Sequence, residues 1–277
     1  MNARRQRPAA PAVDQASHPS PPVLAASVLG PFRVTVDGRA IDDWLSCKAK
    51  AICKYFLLHH RQPAAKEVLM DTFWPAAGPA AARNSLNVAV HRLRRALERA
   101  ALPERRGFRF VVFADGHYSL NPALMVASDV DAFLARAADA GELERYDADA
   151  ALREYAACIA LYRGELLAED RYAAWLAPLR QQLRDRFLHV LDRASRIHFD
   201  RREYAPCAAA CASLIAVDAC NEEAHRMLMR CYAALDQPQL VRRQYQTCVG
   251  ALDRELGLQA SAETTDLYRA IAQRRAA

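Results

Sequence analysis

The chain has 277 residues, with 52% hydrophobic residues, 25% charged residues and only 9 glycines. This length suits two ordinary domains, and the composition excludes a disordered or fibrous chain in favour of an alanine-rich, mainly helical globular protein. No apolar run approaches the roughly 20 residues that a membrane-spanning helix needs, and no signal-peptide pattern precedes Val23, so we expect a cytoplasmic protein.

The net charge of +6 is unevenly distributed along the chain. Residues 1–27 carry +2, residues 28–126 carry +7 and residues 127–277 carry −3. A basic first half joined to a slightly acidic second half predicts that the first half meets a polyanion and the second half meets something else.

The N-terminal region is predicted to be an arm followed by short strands. Residues 1–27 are rich in proline and alanine without a periodic pattern, which predicts a flexible arm. Apolar and polar side chains alternate over residues 32–36 ahead of the turn dipeptide Asp37-Gly38, and residues 40–41 return as a second strand.

Three helices and a hairpin follow. Helical spacing predicts helices over residues 47–60, 66–73 and 82–100. Residues 108–113 and 117–120 flank the turn Asp115-Gly116 and predict a hairpin. Strands, three helices and a hairpin, in that order, make residues 28–126 a winged helix-turn-helix domain.

The third predicted helix has the clearest amphipathic pattern in the chain. Its apolar side carries Leu86, Ala89, Val90, Leu93 and Leu97. Its opposite side carries Asn84, Val88, His91, Arg92, Arg95 and Arg99. A helix of this kind, basic on one side and apolar on the other, suits the major groove of B-DNA.

After Pro122 the pattern indicates helices only, so residues 127–277 are predicted to be an all-α domain. A weak internal repeat with an offset of 36 residues is close to the period of tetratricopeptide-type helix pairs, which stack into a solenoid with a groove for peptides or partner helices. The predicted helices cover residues 131–140, 148–161, 175–199, 204–217, 222–235, 240–256 and 261–275. The fold class is therefore mainly α with a small β part.

Several short motifs resemble a known family of regulators. In the first half these are Leu29-Gly30-Pro31-Phe32-Arg33-Val34, Phe73-Trp74-Pro75 and residues 86–97. In the second half they are Tyr118-Ser119-Leu120-Asn121-Pro122, Asp129-Val130-Asp131-Ala132-Phe133, Tyr162-Arg163-Gly164-Glu165-Leu166-Leu167, Glu255-Leu256-Gly257 and Thr265-Asp266-Leu267-Tyr268. In this order they resemble the Streptomyces antibiotic regulatory protein family, in which an OmpR-type winged helix precedes a bacterial transcriptional activation domain.

This resemblance implies a transcription activator that binds promoter repeats as a dimer and recruits RNA polymerase. Its expected partners are double-stranded DNA, RNA polymerase and a second copy of the chain, and its expected place is the cytoplasm, in association with the nucleoid. Larger relatives carry a nucleotide-binding or sensor module, whereas this sequence has no glycine-rich phosphate loop, so we expect no cofactor.

Candidate DNA contacts come from the third helix and its surroundings. By resemblance to OmpR-type winged helices, Arg92 contacts bases, and Asn84, Asn87 and His91 are the other polar side chains positioned for base edges. The candidate phosphate contacts are Arg94, Arg95 and Arg99 of this helix, Lys48 and Lys50 at the start of the first helix, and Arg109 at the hairpin. The hairpin tip carries Asp115 where OmpR-type relatives often carry an arginine, so the tip is not expected to enter the minor groove.

Other functions were weighed against this one. Cys207 and Cys211 lie four residues apart, with Cys220 and His225 nearby, but no second close pair completes a zinc pattern, and we interpret the cysteines as reduced core residues. No catalytic constellation is present, so no enzyme and no metal site is expected. The open alternatives are a helical-repeat adaptor whose winged helix binds only proteins and a regulator that senses a small molecule or oxidant.

Overall fold

The computed structural model describes residues 20–273, so residues 1–19 of the predicted arm lie outside the described residues. The strands in this part are β1 Val23–Ser27, β2 Arg33–Val36, β3 Arg39–Ala40, β4 Ala64–Ala65, β5 Val111–Ala114, β6 His117–Leu120 and β7 Met125–Ser128. The helices are α1 Cys47–Leu58, α2 Lys66–Phe73, α3 Pro79–Ala100, α4 Asp129–Leu143, α5 Ala148–Leu161, α6 Ala177–Asp200, α7 Tyr204–Val217, α8 Glu222–Ala234, α9 Pro238–Leu256 and α10 Ala262–Gln273. This mainly helical architecture confirms the predicted fold class.

A four-stranded sheet with the order β3-β2-β1-β7 opens the described chain. β1 runs antiparallel to β2, with Leu24 opposite Val36, and parallel to β7, with Val23 opposite Met125. Two expectations were therefore wrong: residues 23–27 belong to a strand rather than to the arm, and a strand follows Pro122 ahead of the helices. Neither strand shows a clear alternation of polar and apolar residues, and they pair with each other across about a hundred residues of sequence.

The winged helix is built as predicted around the buried side of α3. The side chain of Ser46 caps α1 by accepting a hydrogen bond from the backbone nitrogen of Ala49 at 3.0 Å. α1 and α2 pack against α3, whose buried side carries Leu86, Val90, Leu93 and Leu97. The hairpin of β5 and β6 forms a second sheet with the order β4-β6-β5, in which the two-residue strand β4 had no sequence signal.

The second half is a helical solenoid. From α4 to α10 each helix packs on the next one along the chain, and α10 also returns to α8. Local stacking of this kind is the packing that the repeat pattern predicts. No helix among residues 20–273 is long and apolar enough to cross a membrane.

The two halves are joined by backbone hydrogen bonds around residues 28–30. The nitrogens of Val28 and Leu29 donate to the carboxylate of Asp129, at the start of α4, over 2.9 to 3.1 Å. The backbone nitrogen of Gly30 donates to the carbonyl oxygen of Glu165 at 3.2 Å. The backbone nitrogen of Leu167 donates to the carbonyl oxygen of Val28 at 2.8 Å. Three of the sequence motifs thus interlock and fix the solenoid against the first sheet.

A second contact joins α1 to the segment that leads into α6. The ring centroid of Trp175 lies 5.4 Å from that of Tyr55 and 6.0 Å from that of Phe73. Beside these rings, the Nζ of Lys54 lies 2.6 Å from Oε1 of Glu169 and 2.5 Å from Oδ2 of Asp170. The side chain of Lys54 is only 3% exposed, so this ion pair is part of the packed contact.

Candidate nucleic-acid interface

The outer side of α3 is open to solvent along its whole length. Its 22 residues span about 33 Å, which exceeds the width of a major groove. The helical domain leaves this surface uncovered. The exposed side chains of this outer side are Asn84, Asn87, Val88, His91, Arg92, Arg95 and Arg99.

Three of the four predicted base-reading side chains have no partner within residues 20–273. Asn84, His91 and Arg92 are exposed and take part in no hydrogen bond or ion pair within that range. Asn84 and Arg92 line a shallow depression together with Lys48, Trp74 and Val88. Their hydrogen-bonding groups are therefore available to an external ligand.

The fourth, Asn87, has one partner. Its Oδ1 accepts a hydrogen bond from the hydroxyl of Tyr118 in β6 at 3.3 Å, while the residue itself stays exposed. An amide offers two acceptor sites on its oxygen and two donors on its nitrogen. The bond to Tyr118 therefore orients the amide so that its nitrogen is left to donate to another group.

The structure separates the six predicted phosphate contacts into two groups. Arg95 and Arg109 are exposed and without a side-chain partner in residues 20–273. The Nζ of Lys48 is exposed but donates to the carbonyl oxygen of Phe73 at 2.7 Å. It also lies 5.4 Å from the ring centroid of Trp74. Arg95 lies on α3 and Lys48 lines the depression beside it, whereas Arg109 precedes β5.

The other three cations have partners within the protein. The Nε of Arg94 donates to the carbonyl oxygen of Val111 at 3.0 Å and so fastens the hairpin to α3. Arg99 pairs with Asp43 at 2.8 Å. Lys50 pairs with Glu169 at 2.9 Å, in the contact between the two halves. We therefore leave Arg94 and Lys50 out of the proposed phosphate contacts and keep Arg99 as a weaker one.

The hairpin tip is acidic, as the sequence shows, and carries an exposed aromatic ring. Asp115 and Gly116 have positive φ angles of 49° and 80°, as a two-residue hairpin turn requires. Phe113 is 49% exposed, and its ring centroid lies 4.5 Å from that of Tyr118. Arg105, ahead of the hairpin, pairs with Asp37 at 3.0 Å.

Val88 is a candidate contact that the sequence reasoning passed over. It lies in the middle of the outer side of α3 and is 51% exposed. An apolar side chain on such a surface suits the methyl group of thymine, which marks that base in the major groove. The helical spacing of the sequence already places Val88 between Asn84 and Arg92 on the outer side of α3, so this position could have been predicted.

The cysteines of the solenoid other than Cys220 are buried. Cys207, Cys211 and Cys231 are buried in a cluster with Met227 and Leu228. A hydrogen bond to Cys211, with burial adding to it, raises the pKa of Cys207 to about 12, so its reactive thiolate is scarce near neutral pH.

Cys220 and His225, which sequence spacing placed near these thiols, have other partners. The sulfur of Cys220 contacts the carbonyl oxygen of Ala251 at 3.8 Å. His225 is buried, and its Nε2 lies 3.0 Å from the carbonyl oxygen of Ala219. Within residues 20–273, no three His, Cys, Asp or Glu side chains are grouped so that they could hold a metal ion.

Comparisons with known proteins match both halves. Residues 128–272 match the family model described as bacterial transcriptional activator domain, and residues 44–107 match the one described as transcriptional regulatory protein, C terminal. The fold is similar to that of Mycobacterium tuberculosis EmbR, solved in complex with a low affinity phosphopeptide, with a TM-score of 0.72 at 19% identity over 91% of this chain. The chain spans 66% of the length of that EmbR chain. No curated protein sequence matches significantly.

Proposed function

The chain belongs to the bacterial transcriptional activator domain family, and from that premise we propose that it is a sequence-specific DNA-binding transcriptional regulator. Its winged helix docks α3 in the major groove, where Arg92, Asn84, His91 and the free amide nitrogen of Asn87 meet base edges. Arg95, Arg109 and Lys48 contact phosphates, with a smaller contribution from Arg99.

One observation carries this proposal: the outer side of α3 combines exposed, unpartnered base-reading groups with a local excess of positive charge. Residues 28–126 hold a net charge of +7, whereas the solenoid half is slightly negative. Lysine and arginine release counterions from phosphates, and this release supplies much of the affinity for DNA. The solenoid leaves this surface uncovered, so no rearrangement is needed before DNA binds.

The finer parts of the proposal concern its partners. The regulator binds promoter repeats as a dimer, contacts RNA polymerase and raises transcription, acting in the cytoplasm at the nucleoid. The name of the matched activator domain and the order of the two domains support this part. Sedimentation with duplexes that hold one or two repeats measures dimer formation, and transcription with purified polymerase measures activation.

DNA binding is tested first, with duplexes selected from a random-sequence library by the wild-type chain. We expect selective binding. The logarithm of the binding constant should fall linearly with the logarithm of the salt concentration, with a slope of about −0.9 for each phosphate contact. A double variant, Arg92→Ala with Arg95→Ala, should lose most of this binding. The matched control is Arg242→Ala in α9, where the arginine is exposed and unpaired within residues 20–273.

Two results would contradict the proposal. If the wild-type chain enriches no duplex, the winged helix serves protein contacts, as in the adaptor alternative. If Arg242→Ala weakens binding as strongly as the double variant, the binding reflects overall charge rather than α3.

A further inference from the structure

An exposed loop of the solenoid half lies beside the winged helix. We call residues 168–173 the junction loop; it precedes the short helical turn Ala174–Leu176 and α6. Tyr172 in this loop is 100% exposed. Arg171 is exposed and has no hydrogen bond or ion pair within residues 20–273. A tyrosine and an arginine that stabilise nothing within the chain are the residue types most enriched where proteins bind partners.

The junction loop is held rigidly. The guanidinium of Arg180 donates to the carbonyl oxygens of Leu167 at 2.9 Å and Asp170 at 3.1 Å. The backbone nitrogen of Ala173 donates to the carbonyl oxygen of Asp170 at 3.0 Å, which closes the turn around Arg171 and Tyr172. Their backbone positions relative to α6 are therefore fixed by hydrogen bonds.

This loop is continuous with the proposed DNA surface. Tyr172 lines a depression together with Lys48, Phe73 and Pro75. Lys48 also lines the neighbouring depression that holds Arg92. One uninterrupted surface thus runs from the outer side of α3, across the start of α1 and the end of α2, to the junction loop.

The carboxylates beside Arg171 are neutralised by lysines of α1. The acidic neighbours of Arg171 in the loop, Glu169 and Asp170, are paired with Lys54, and Glu169 also with Lys50. Lys48 and Asp71 line the same depression. Arg171 is therefore the cation of the loop that has no ion-pair partner within residues 20–273. A tyrosine hydroxyl and an arginine are both common donors to phosphate oxygens.

We propose that the junction loop is a second DNA contact, in which Arg171 and Tyr172 bind the phosphate backbone beside the segment that α3 occupies. This inference rests on the proposed function and extends it from the winged helix to the solenoid half. The loop adds affinity without base preference, because phosphates carry no sequence information. It also lengthens the duplex that one protomer covers.

The test compares two lengths of a duplex selected from a random library by the wild-type chain. One ends at the base pairs that the selection defines, and the other extends by about one helical turn on each side. The full-length chain is measured by fluorescence anisotropy as wild type, Arg171→Ala, Tyr172→Phe and the control Arg242→Ala. Both loop side chains are exposed, so neither substitution should alter folding, which melting curves check.

We expect Arg171→Ala to weaken binding to the extended duplex roughly threefold to tenfold and to lower the salt slope by about 0.9. Tyr172→Phe should weaken binding to the extended duplex by a smaller factor. Neither variant should change the affinity for the shorter duplex, which ends at the base pairs that the selection defines. Equal affinities of wild type and Arg171→Ala for the extended duplex would overturn the inference and leave the proposed function intact. So would a loss of transcription without a loss of DNA affinity, since the loop would then bind a protein. If the wild-type chain binds neither duplex, the proposed function itself fails.

Discussion

The Cα atom of Gly30 lies 3.3 Å from the position that a Cβ would take at Gly164. Gly30 in turn has a φ of +100°, and a Cβ built on it would lie 3.3 Å from the backbone of Arg163. Two segments separated by about 130 residues therefore cross backbone to backbone, where only hydrogen atoms fit between them. This crossing fixes the orientation of the solenoid relative to the winged helix.

Gly164→Ala should destabilise the protein, because the new methyl group meets backbone that has no free space to move into. We expect the free energy of unfolding to fall by about 1–3 kcal/mol, as for overpacking in a core. Urea denaturation measures the change. Gly250→Ala in α9 is the control, since a Cβ there meets nothing within 4 Å, and it should be neutral or stabilising by up to about 1 kcal/mol. Equal effects of the two substitutions would contradict a tight crossing.

Lys54→Met should weaken the contact between the two halves. The substitution removes a buried cation from two carboxylates, whose side chains are 43% and 32% exposed and therefore still partly hydrated. We expect a loss of about 1–2 kcal/mol, less than for a fully buried pair. Lys66→Met is the control, because within residues 20–273 the side chain of Lys66 pairs only with the adjacent Glu67, at 3.7 Å. An unchanged urea midpoint for Lys54→Met would show that the pair does not stabilise the fold.

Glu144 should contribute to stability in a pH-dependent manner. A hydrogen bond from Arg193, aided by one from Tyr155, holds the pKa of Glu144 below its ordinary value of 4.5. Because the folded state lowers this pKa, the contribution is complete above pH 4.5 and is lost as the pH falls through the folded pKa.

Glu144→Gln should therefore cost about 1–2 kcal/mol at pH 7, and the difference from wild type should shrink with acidification below about pH 4.5. Denaturation curves at a series of pH values measure both effects. Glu142→Gln, at an exposed residue without a partner in residues 20–273, should follow the wild-type profile. A difference that stays constant down to pH 3 would contradict the assigned pKa direction.

Arg92→Ala should weaken binding to a selected duplex far more than to random DNA. A bidentate contact with guanine is worth about 1–3 kcal/mol of discrimination, and Arg92 has no competing partner in residues 20–273. Arg99→Ala should weaken both duplexes alike, and only slightly, because Arg99 already pairs with Asp43. Competition gel shifts measure the ratios. Equal losses on the two duplexes for Arg92→Ala would remove it from base recognition.

Tyr118→Phe should relax base preference at the position that Asn87 faces. The substitution frees the amide of Asn87, which can then offer either its oxygen or its nitrogen to the groove. Selection from a random library by the variant measures the preference at each base pair. The affinity of Tyr118→Phe for random DNA should equal that of wild type. Asn87→Ala should lose the base preference at the same position. A profile identical to that of wild type would show that Tyr118 does not orient the amide.

Much of the fold follows from local patterns. The 3.6-residue spacing of Leu86, Val90, Leu93 and Leu97 predicts both the extent of α3 and the side that it buries, because helical periodicity is a property of the segment itself. β7 escaped prediction because it pairs with β1 across about a hundred residues of sequence. β1 also pairs with the nearby β2, but its residues show no alternation of polar and apolar side chains that would have indicated a strand. The same holds for β4, whose two residues are a strand only because β6 lies beside them.

The sequence by itself determined the composition of the proposed DNA surface, the identity of α3 as the helix that carries it and the basic charge of its half of the chain. Only the tertiary structure decided which cations remain free. In the sequence, Lys50 and Arg94 are candidate phosphate contacts just as Arg95 is. In the structure, Lys50 pairs with Glu169, and Arg94 donates a hydrogen bond to the hairpin. The physical reason is the sequence separation of the residues involved. Helical periodicity depends on residues that are close in sequence, whereas an ion pair depends on which distant segments pack together.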